Sequence, residues 1–347
     1  MTGYIKKLLI GTSVAATMSA IATTPAFAVN LTRPTNIQFT TNGVANTSAN
    51  QPNINTWTYA PGSAVYDSTG IGGVQRRILN DYNNSGNINK AIAALTDNDS
   101  STNIELFTSG EIVTNHVGFT ANLGNKTIKI ESVTKADWAD GTLATGWLTG
   151  FQNAYSGLLS SSTFLGSNLL TLFNANFTSL VGYLSTNGFN SAGDPNIGDV
   201  TYNQETGNLK VDLVGHLNLS GQYLNPATSS RNSTGNQLLD LMLAKISQTA
   251  LLQNKPLQIS EIAKVTFDHK VDYAFSFAAI ESGAIAGDRS KTTDNTSHTG
   301  IYSWNKSYTT ASVPEPSALL GLMAVGGLVF LKRKVQKTVI SQSDKSI

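Results

Sequence analysis

Asp199-Val200-Thr201-Tyr202-Asn203-Gln204-Glu205-Thr206-Gly207-Asn208-Leu209-Lys210-Val211-Asp212-Leu213 decides the fold. Asp199 to Tyr202 runs into a turn over Asn203–Asn208. The return strand then sets Leu209, Val211, Leu213, Leu217 and Leu219 on one face, with Lys210, Asp212, His216 and Asn218 on the other. An apolar period of two on both sides of a Gly/Asn turn reads as an antiparallel hairpin with one buried face. The pattern repeats upstream. Val113, Val117, Phe119, Ala121 and Leu123 share a face broken only by Asn115. Gly124-Asn125 turns the chain, and Ile128 and Ile130 then oppose Lys129 and Glu131. Downstream, Ile262 to Phe267 and Val271 to Phe277 flank Asp268-His269-Lys270. There Val271, Tyr273, Phe275 and Phe277 alternate with Asp272, Ala274 and Ser276.

Between these hairpins the period changes to that of a helix. One helix is expected from Leu143 to Leu159, with Asp137 or Asp140 as its cap. A second carries Leu169, Leu170, Phe173, Phe177, Leu180, Val181 and Leu184 on one stripe and ends at Gly188. A third, Gln237 to Gln253, is apolar over most of its surface and stops before Pro256. No βαβ alternation is sustained. The expected fold class is therefore α+β: an antiparallel, sandwich-like β-rich ectodomain with about three packed helices. Residues 29–63 read as an irregular segment with only short β-prone pieces such as Ile37 to Thr40, 64–286 as the ectodomain, 96–103 as an exposed loop and 287–312 as a polar linker.

The chain has 347 residues, no cysteine and a net charge of +1. Residues 29–313 carry 16 Lys+Arg against 20 Asp+Glu, so no basic surplus exists to neutralise phosphates, and nucleic acid is excluded as a partner. Without cysteine there is no thiol nucleophile and no disulfide framework.

Both ends carry sorting patterns. Lys6-Lys7 precede an uncharged run from Leu8 to Ala22, and Pro25-Ala26-Phe27-Ala28 supplies an Ala-x-Ala site. Residues 1–28 thus read as a signal peptide, cut after Ala28 by signal peptidase. At the other end, Pro314-Glu315-Pro316 leads into an uncharged run, Ala318 to Leu331, closed by Lys332-Arg333-Lys334. That run is shorter than the usual span of about 20 residues, but flanking lysines and arginines can snorkel and extend it. The basic stop places 336–347 in the cytoplasm and all before Pro314 outside, the orientation the N-terminal signal also requires.

The segment 313–335 resembles the PEP-CTERM sorting signal of Gram-negative bacteria, through Pro314, Glu315, Pro316, the apolar helix and Lys332, Arg333, Lys334. The resemblance implies a membrane intermediate, an exosortase as partner, and cleavage near the Pro-Glu-Pro motif. Thirteen residues follow Lys334, more than such tails usually carry, which keeps membrane retention open as the other outcome. Ile197-Gly198-Asp199-Val200-Thr201-Tyr202, Leu213-Val214-Gly215-His216 and Val265-Thr266-Phe267 with Asp272-Tyr273 also resemble a set of cyanobacterial PEP-CTERM proteins, which brings no activity with it.

Candidate chemistry in the body is sparse. Asp81, Asn83 and Ser85, with Gly86 at position 6 and Asn89 at position 9, match the front of a calcium loop, but position 12 is Ile92 and only Asp81 is charged. An Asn/Gly-rich turn before a helix from Ile88 to Leu95 explains the same residues and is preferred. His116, His216, His269 and His298 lack metal-ligand spacing, with His116 and His216 expected on strand rims. Asp194, Asp199 and Asp212 flank the central hairpin and would matter to a glycosidase only if two converged in one cleft. Trp57, Trp138, Trp147 and Trp304 are possible stacking platforms for sugars, though core or edge placement explains most of them. No catalytic residue, metal or cofactor is assigned. The expected role is a non-enzymatic surface or matrix protein. Its alternatives are a carbohydrate-binding module associated with exopolysaccharide and, behind that, a polysaccharide hydrolase.

Overall fold

The computed structural model describes residues 31–46, 54–59, 76–80, 87–100, 102–106, 114–164, 166–189, 192–221, 223, 233–285 and 298–308. In chain order these form β1 (Leu31–Thr32), β2 (Thr35–Thr41), β3 (Val44–Ala45), β4 (Ile54–Tyr59), β5 (Arg76–Asn80), α1 (Ile88–Thr96), β6 (Asn103–Leu106), β7 (Val117–Leu123) and β8 (Lys126–Ser132). A 3-10 turn (Lys135–Trp138) leads to α2 (Thr142–Ser161), β9 (Thr163–Phe164), β10 (Ser167–Asn168) and α3 (Leu169–Asn187). Then come β11 (Asn196–Asn203), β12 (Asn208–Gly215), α4 (Gln237–Leu252), β13 (Ala263–Phe267), β14 (Lys270–Ala274), β15 (Ile280–Glu281), β16 (Ala284–Ile285) and β17 (Gly300–Ser307).

Two sheets result. The larger has the order β15-β17-β12-β11-β6-β4-β5-β16, with β1 also beside β11; the smaller has the order β14-β13-β8-β7-β2-β3. Among the described pairings only β5–β16 is parallel. Their inner faces share one core. Phe39, Phe119, Ile128, Ile130, Val265 and Phe267 come from the smaller sheet, and Ile104, Val200, Leu209, Val211, Leu213 and Tyr302 from the larger. Tyr202 and Phe267 meet across the sandwich with ring centroids 4.8 Å apart. The α+β class and the two-sheet architecture both follow from the strand alternation.

A second core forms where β8 ends and β13 begins. The predicted helices appear as α2, α3 and α4, and Gly188 caps α3 with φ of +73°. Trp147 is its centre. It is fully buried and stacks on Phe151 at 5.4 Å, with Phe189 at 5.3 Å and Phe277 at 5.6 Å edge-on. Its Nε1–H is buried with no hydrogen-bond partner among the described residues, so the indole is held for its volume rather than its polarity. Trp147→Ala is expected to lower unfolding stability by about 3–5 kcal/mol, the usual cost of emptying an aromatic core site, measured as a shift in the urea midpoint. α1 is a fourth helix and belongs to the sandwich core through Ala91, Ala94 and Leu95.

Several boundaries differ from the sequence reading. Residues 29–63, read as irregular, contribute β1 to β4, because Ile37 and Phe39 anchor a strand whose other residues are polar and Thr-rich. The polar linker 287–312 contains β17, an interior strand of the larger sheet. Only Tyr302 and Trp304 turn inward there, and the outward Ser303, Asn305 and Ser307 mask the strand in composition. The loop 96–103 is not exposed throughout: Thr102 and Asn103 are buried. Strand β12 stops at Gly215, so Leu219 leaves the sheet and packs in the helical core. Along β14 and beyond, Ala274 faces the sandwich, while Tyr273, Phe275 and Phe277 face the helices. This strand edge joins the two cores.

Candidate functional site

The most connected polar group among the described residues is Asp137, in the 3-10 turn between the two cores. Thr134-Lys-Ala-Asp137 has capping-box spacing: Thr134 N and Thr134 Oγ1 donate to Asp137 Oδ2 at 2.8 and 3.0 Å, and Asp137 N donates to the Thr134 carbonyl at 3.0 Å. His116 Nε2, just before β7, lies 2.7 Å from the same oxygen. Lys264 Nζ of β13 donates to Oδ1 at 2.7 Å, and the Tyr273 hydroxyl of β14 donates to Oδ1 at 3.5 Å and to the Asp137 carbonyl at 3.3 Å. Strand register assembles this set. Thr40, Gly118, Glu131, Lys264 and Tyr273 form one cross-strand row on the outer face of the smaller sheet. Gly118 is required in that row, since a Cβ there would lie 2.0 Å from the Ile130 carbonyl oxygen and 2.9 Å from Glu131 Cγ.

Burial opposes ionisation of Asp137, but hydrogen bonds from His116, Lys264 and the Thr134 backbone outweigh it. The carboxyl is held well below the usual carboxylate range. Burial and the neighbouring Asp137 charge push the Tyr273 hydroxyl up. A deprotonated carboxylate that accepts from every side is a structural clamp rather than a general acid. His116, expected on a rim, is this clamp's partner. The sequence signal for the site was the Thr-x-x-Asp box, which reads only as a helix start.

A second polar network covers the outer face of the larger sheet. Asp212 is fully buried and accepts from Ser100 Oγ at 2.7 Å, Ser303 Oγ at 2.6 Å and Lys210 Nζ at 2.7 Å. Asp199 pairs with Arg33 Nε at 3.2 Å, and Asp194 is also buried. These three carboxylates are enclosed rather than open to a cleft. Beside them Asn196 Nδ2 donates to Asn103 Oδ1 at 2.7 Å and lies 3.1 Å from His298 Nε2, all three residues being buried. Burial lifts Asp97 in the loop that crosses this face, against a lowering hydrogen bond from Thr102.

The remaining sequence candidates divide plainly. Trp138 and Trp147 are core residues, and Trp304 packs partly buried against the sandwich core. The side chain of Asn87 caps α1 by accepting from Asn89 N and Lys90 N. The calcium-loop residues Asp81, Asn83 and Ser85 lie outside the described residues, as do the signal-peptide residues Ala26 and Ala28 and the sorting residues Pro314, Glu315, Pro316, Lys332, Arg333 and Lys334. Among the described residues no group of three or more His, Asp and Glu is arranged to hold a metal ion, and no helix is long and apolar enough to cross a membrane.

Comparison with known proteins resolves the tail. A family model for the PEP-CTERM protein-sorting motif matches residues 312–334. No curated protein and no solved structure matches the chain. The motif carries export and exosortase-mediated sorting to the cell envelope or surface, and the protein is a PEP-CTERM domain-containing protein.

Proposed function

We propose that this protein is a non-enzymatic component of the cell surface or extracellular matrix. Signal peptidase removes residues 1–28, the apolar run 318–331 holds a membrane intermediate, and exosortase cleavage near Pro314-Glu315-Pro316 frees the α+β ectodomain. The observation that carries the reading is the sorting motif at 312–334, joined to a body whose buried carboxylates are committed to internal partners. Mass spectrometry of the mature protein tests it. The expected C-terminus lies between residue 309 and Ser317, and deletion of the exosortase lengthens it. Full recovery of Lys332-Arg333-Lys334 peptide from wild-type envelope counts against release.

Contact with exopolysaccharide is the second reading, a carbohydrate-binding module. Trp304, partly exposed on β17, supports it. A glycan array with no bound sugar would leave the structural role alone. A hydrolase is the weakest reading, because Asp194, Asp199 and Asp212 are all buried.

A further inference from the structure

The two sheets end on the same flank of the sandwich. β14 is the terminal strand of the smaller sheet, and β17 is terminal in the larger one except at Gly300 and Ile301, where β15 lies outside it. Cross-strand partners share a face. Trp304 and Lys306 of β17 pair with the core residues Val211 and Leu209, so both side chains point between the sheets. From the other side, Asp272 and Lys270 of β14 pair with the core residues Val265 and Phe267 and point inward as well. The two rows meet. Asp272 Oδ1 lies 3.1 Å from Lys306 Nζ, and Asp272 Oδ2 accepts from the Tyr308 hydroxyl at 2.7 Å. Tyr308 in turn lies against Phe267, with ring centroids 4.8 Å apart.

Nearer the helical core this flank is closed. The chain leaves β14, crosses to β15 and is pinned on the way, where Ser276 N donates to Ser260 Oγ at 2.8 Å and Ala279 N to Gln258 Oε1 at 3.1 Å. From Trp304 to Tyr308 the rim keeps contact with water. Trp304 and Tyr308 pack against the core yet stay partly exposed. Asp272 keeps 23% of its side-chain surface and Lys306 48%, and Lys270 is exposed. Asp272 also has acceptor capacity left. A carboxylate offers about four lone-pair sites, and Lys306 and Tyr308 engage one on each oxygen. Burial and the bond to Asp272 push the Tyr308 hydroxyl up, so it stays a donor.

We propose, on the second reading above of contact with exopolysaccharide, that this rim is a carbohydrate subsite. Trp304 stacks on the apolar face of a pyranose ring within a polysaccharide, and Asp272, Lys306 and Lys270 hydrogen-bond its hydroxyl groups. Complementary chemistry selects this ligand class. A pyranose has a face of C–H groups edged by hydroxyls that both donate and accept. The indole matches the face, the carboxylate takes the donated hydrogens, and the ammonium groups serve the hydroxyl oxygens. An acyl chain or an apolar peptide would instead cover Asp272 and two ammonium groups without replacing the hydrogen bonds they make to water.

Affinity electrophoresis of the full chain, solubilised in a sugar-free detergent, tests the subsite. Native gels contain dextran, hydroxyethylcellulose or alginate, and retardation is followed with polymer concentration. The wild type is expected to be retarded in at least one of them. In that gel Trp304→Ala and Asp272→Asn each weaken binding about tenfold, the size of one stacking contact or one charged hydrogen bond. Val271→Ala, at an exposed residue of β14 on the face away from the rim, leaves binding unchanged. A second readout uses the wild type alone: the same polymer is expected to protect Trp304 from oxidation by N-bromosuccinimide, mapped by mass spectrometry. Retardation that survives both substitutions overturns the subsite and leaves carbohydrate contact elsewhere on the protein. Loss of binding in the variants without protection of Trp304 marks damage to the fold and overturns the subsite too. No retardation of the wild type in any gel overturns the subsite and the carbohydrate reading together.

Discussion

Replacing Asp137 with Asn lowers unfolding stability at pH 7 by about 3 kcal/mol, the lower end of the cost of removing one partner from a buried ion pair. The lower end applies because Lys264 and His116 keep 21% and 26% of their side-chain surface, so water recovers part of what Asp137 gave them. The loss is also pH-dependent, and its sign follows from the lowered carboxyl. A group whose pKa is lower in the folded chain than in the unfolded one adds stability that is complete above its ordinary value, here 3.8, and is lost as the pH falls toward the folded value. The wild type therefore weakens below about pH 4. Asp137→Asn lacks that component, and the two stability curves converge in acid. Urea titrations at neutral, mildly acidic and strongly acidic pH check this. A constant gap across the range would mean that Asp137 acts through shape rather than charge. The site joins the 3-10 turn, β7, β13 and β14, so the variant should also loosen the helical core from the sandwich, seen as a broader transition.

What the sequence made legible depended on local repetition. The hairpin around Gly124-Asn125, the return strand from Leu209 and the stripe from Leu169 to Leu184 each carry enough apolar residues to show a period, and each forms the element expected. Elements stabilised mainly by neighbours showed little or not at all. β2 showed only as the short β-prone piece Ile37 to Thr40, since Phe39 is in the core with little else apolar beside it, and β17 places Tyr302 inside a polar run. The Asp137 clamp was hidden for another reason. His116, Thr134, Asp137, Lys264 and Tyr273 come from four separate segments, and only strand register brings them together. Local spacing records the capping box within that set, while its ion pairs are properties of the sheet. The sorting tail lay at the opposite extreme. Its three parts are adjacent in the chain and act as a linear signal, so they were readable without any fold.

Deleting β17 has the largest expected effect of any change to this protein. A chain ending at His298 should show no cooperative unfolding transition, whereas one ending at Ala311 should unfold as the full ectodomain does. β17 pairs with β12 at eight positions from Asn208↔Ser307 to Gly215↔Gly300, and with β15 on its other side. Its Tyr302 is fully buried and donates its hydroxyl to the His216 carbonyl. Emptying such an aromatic site alone costs about 3–5 kcal/mol. Asp212, fully buried, also loses the hydrogen bond from Ser303 and keeps a charge with fewer donors around it. Added to the exposed edge of β12, these losses match the whole stability of a typical domain, about 5–15 kcal/mol. Circular dichroism and urea titration of the two truncations decide the matter, and equal midpoints would show the larger sheet to be stable without its last strand. The result constrains processing as well. The sorting motif begins at residue 312, four residues beyond Tyr308, so an exosortase cut at the Pro-Glu-Pro motif spares β17. On the proposed processing, a cut before Gly300 would release a chain unable to hold its sandwich.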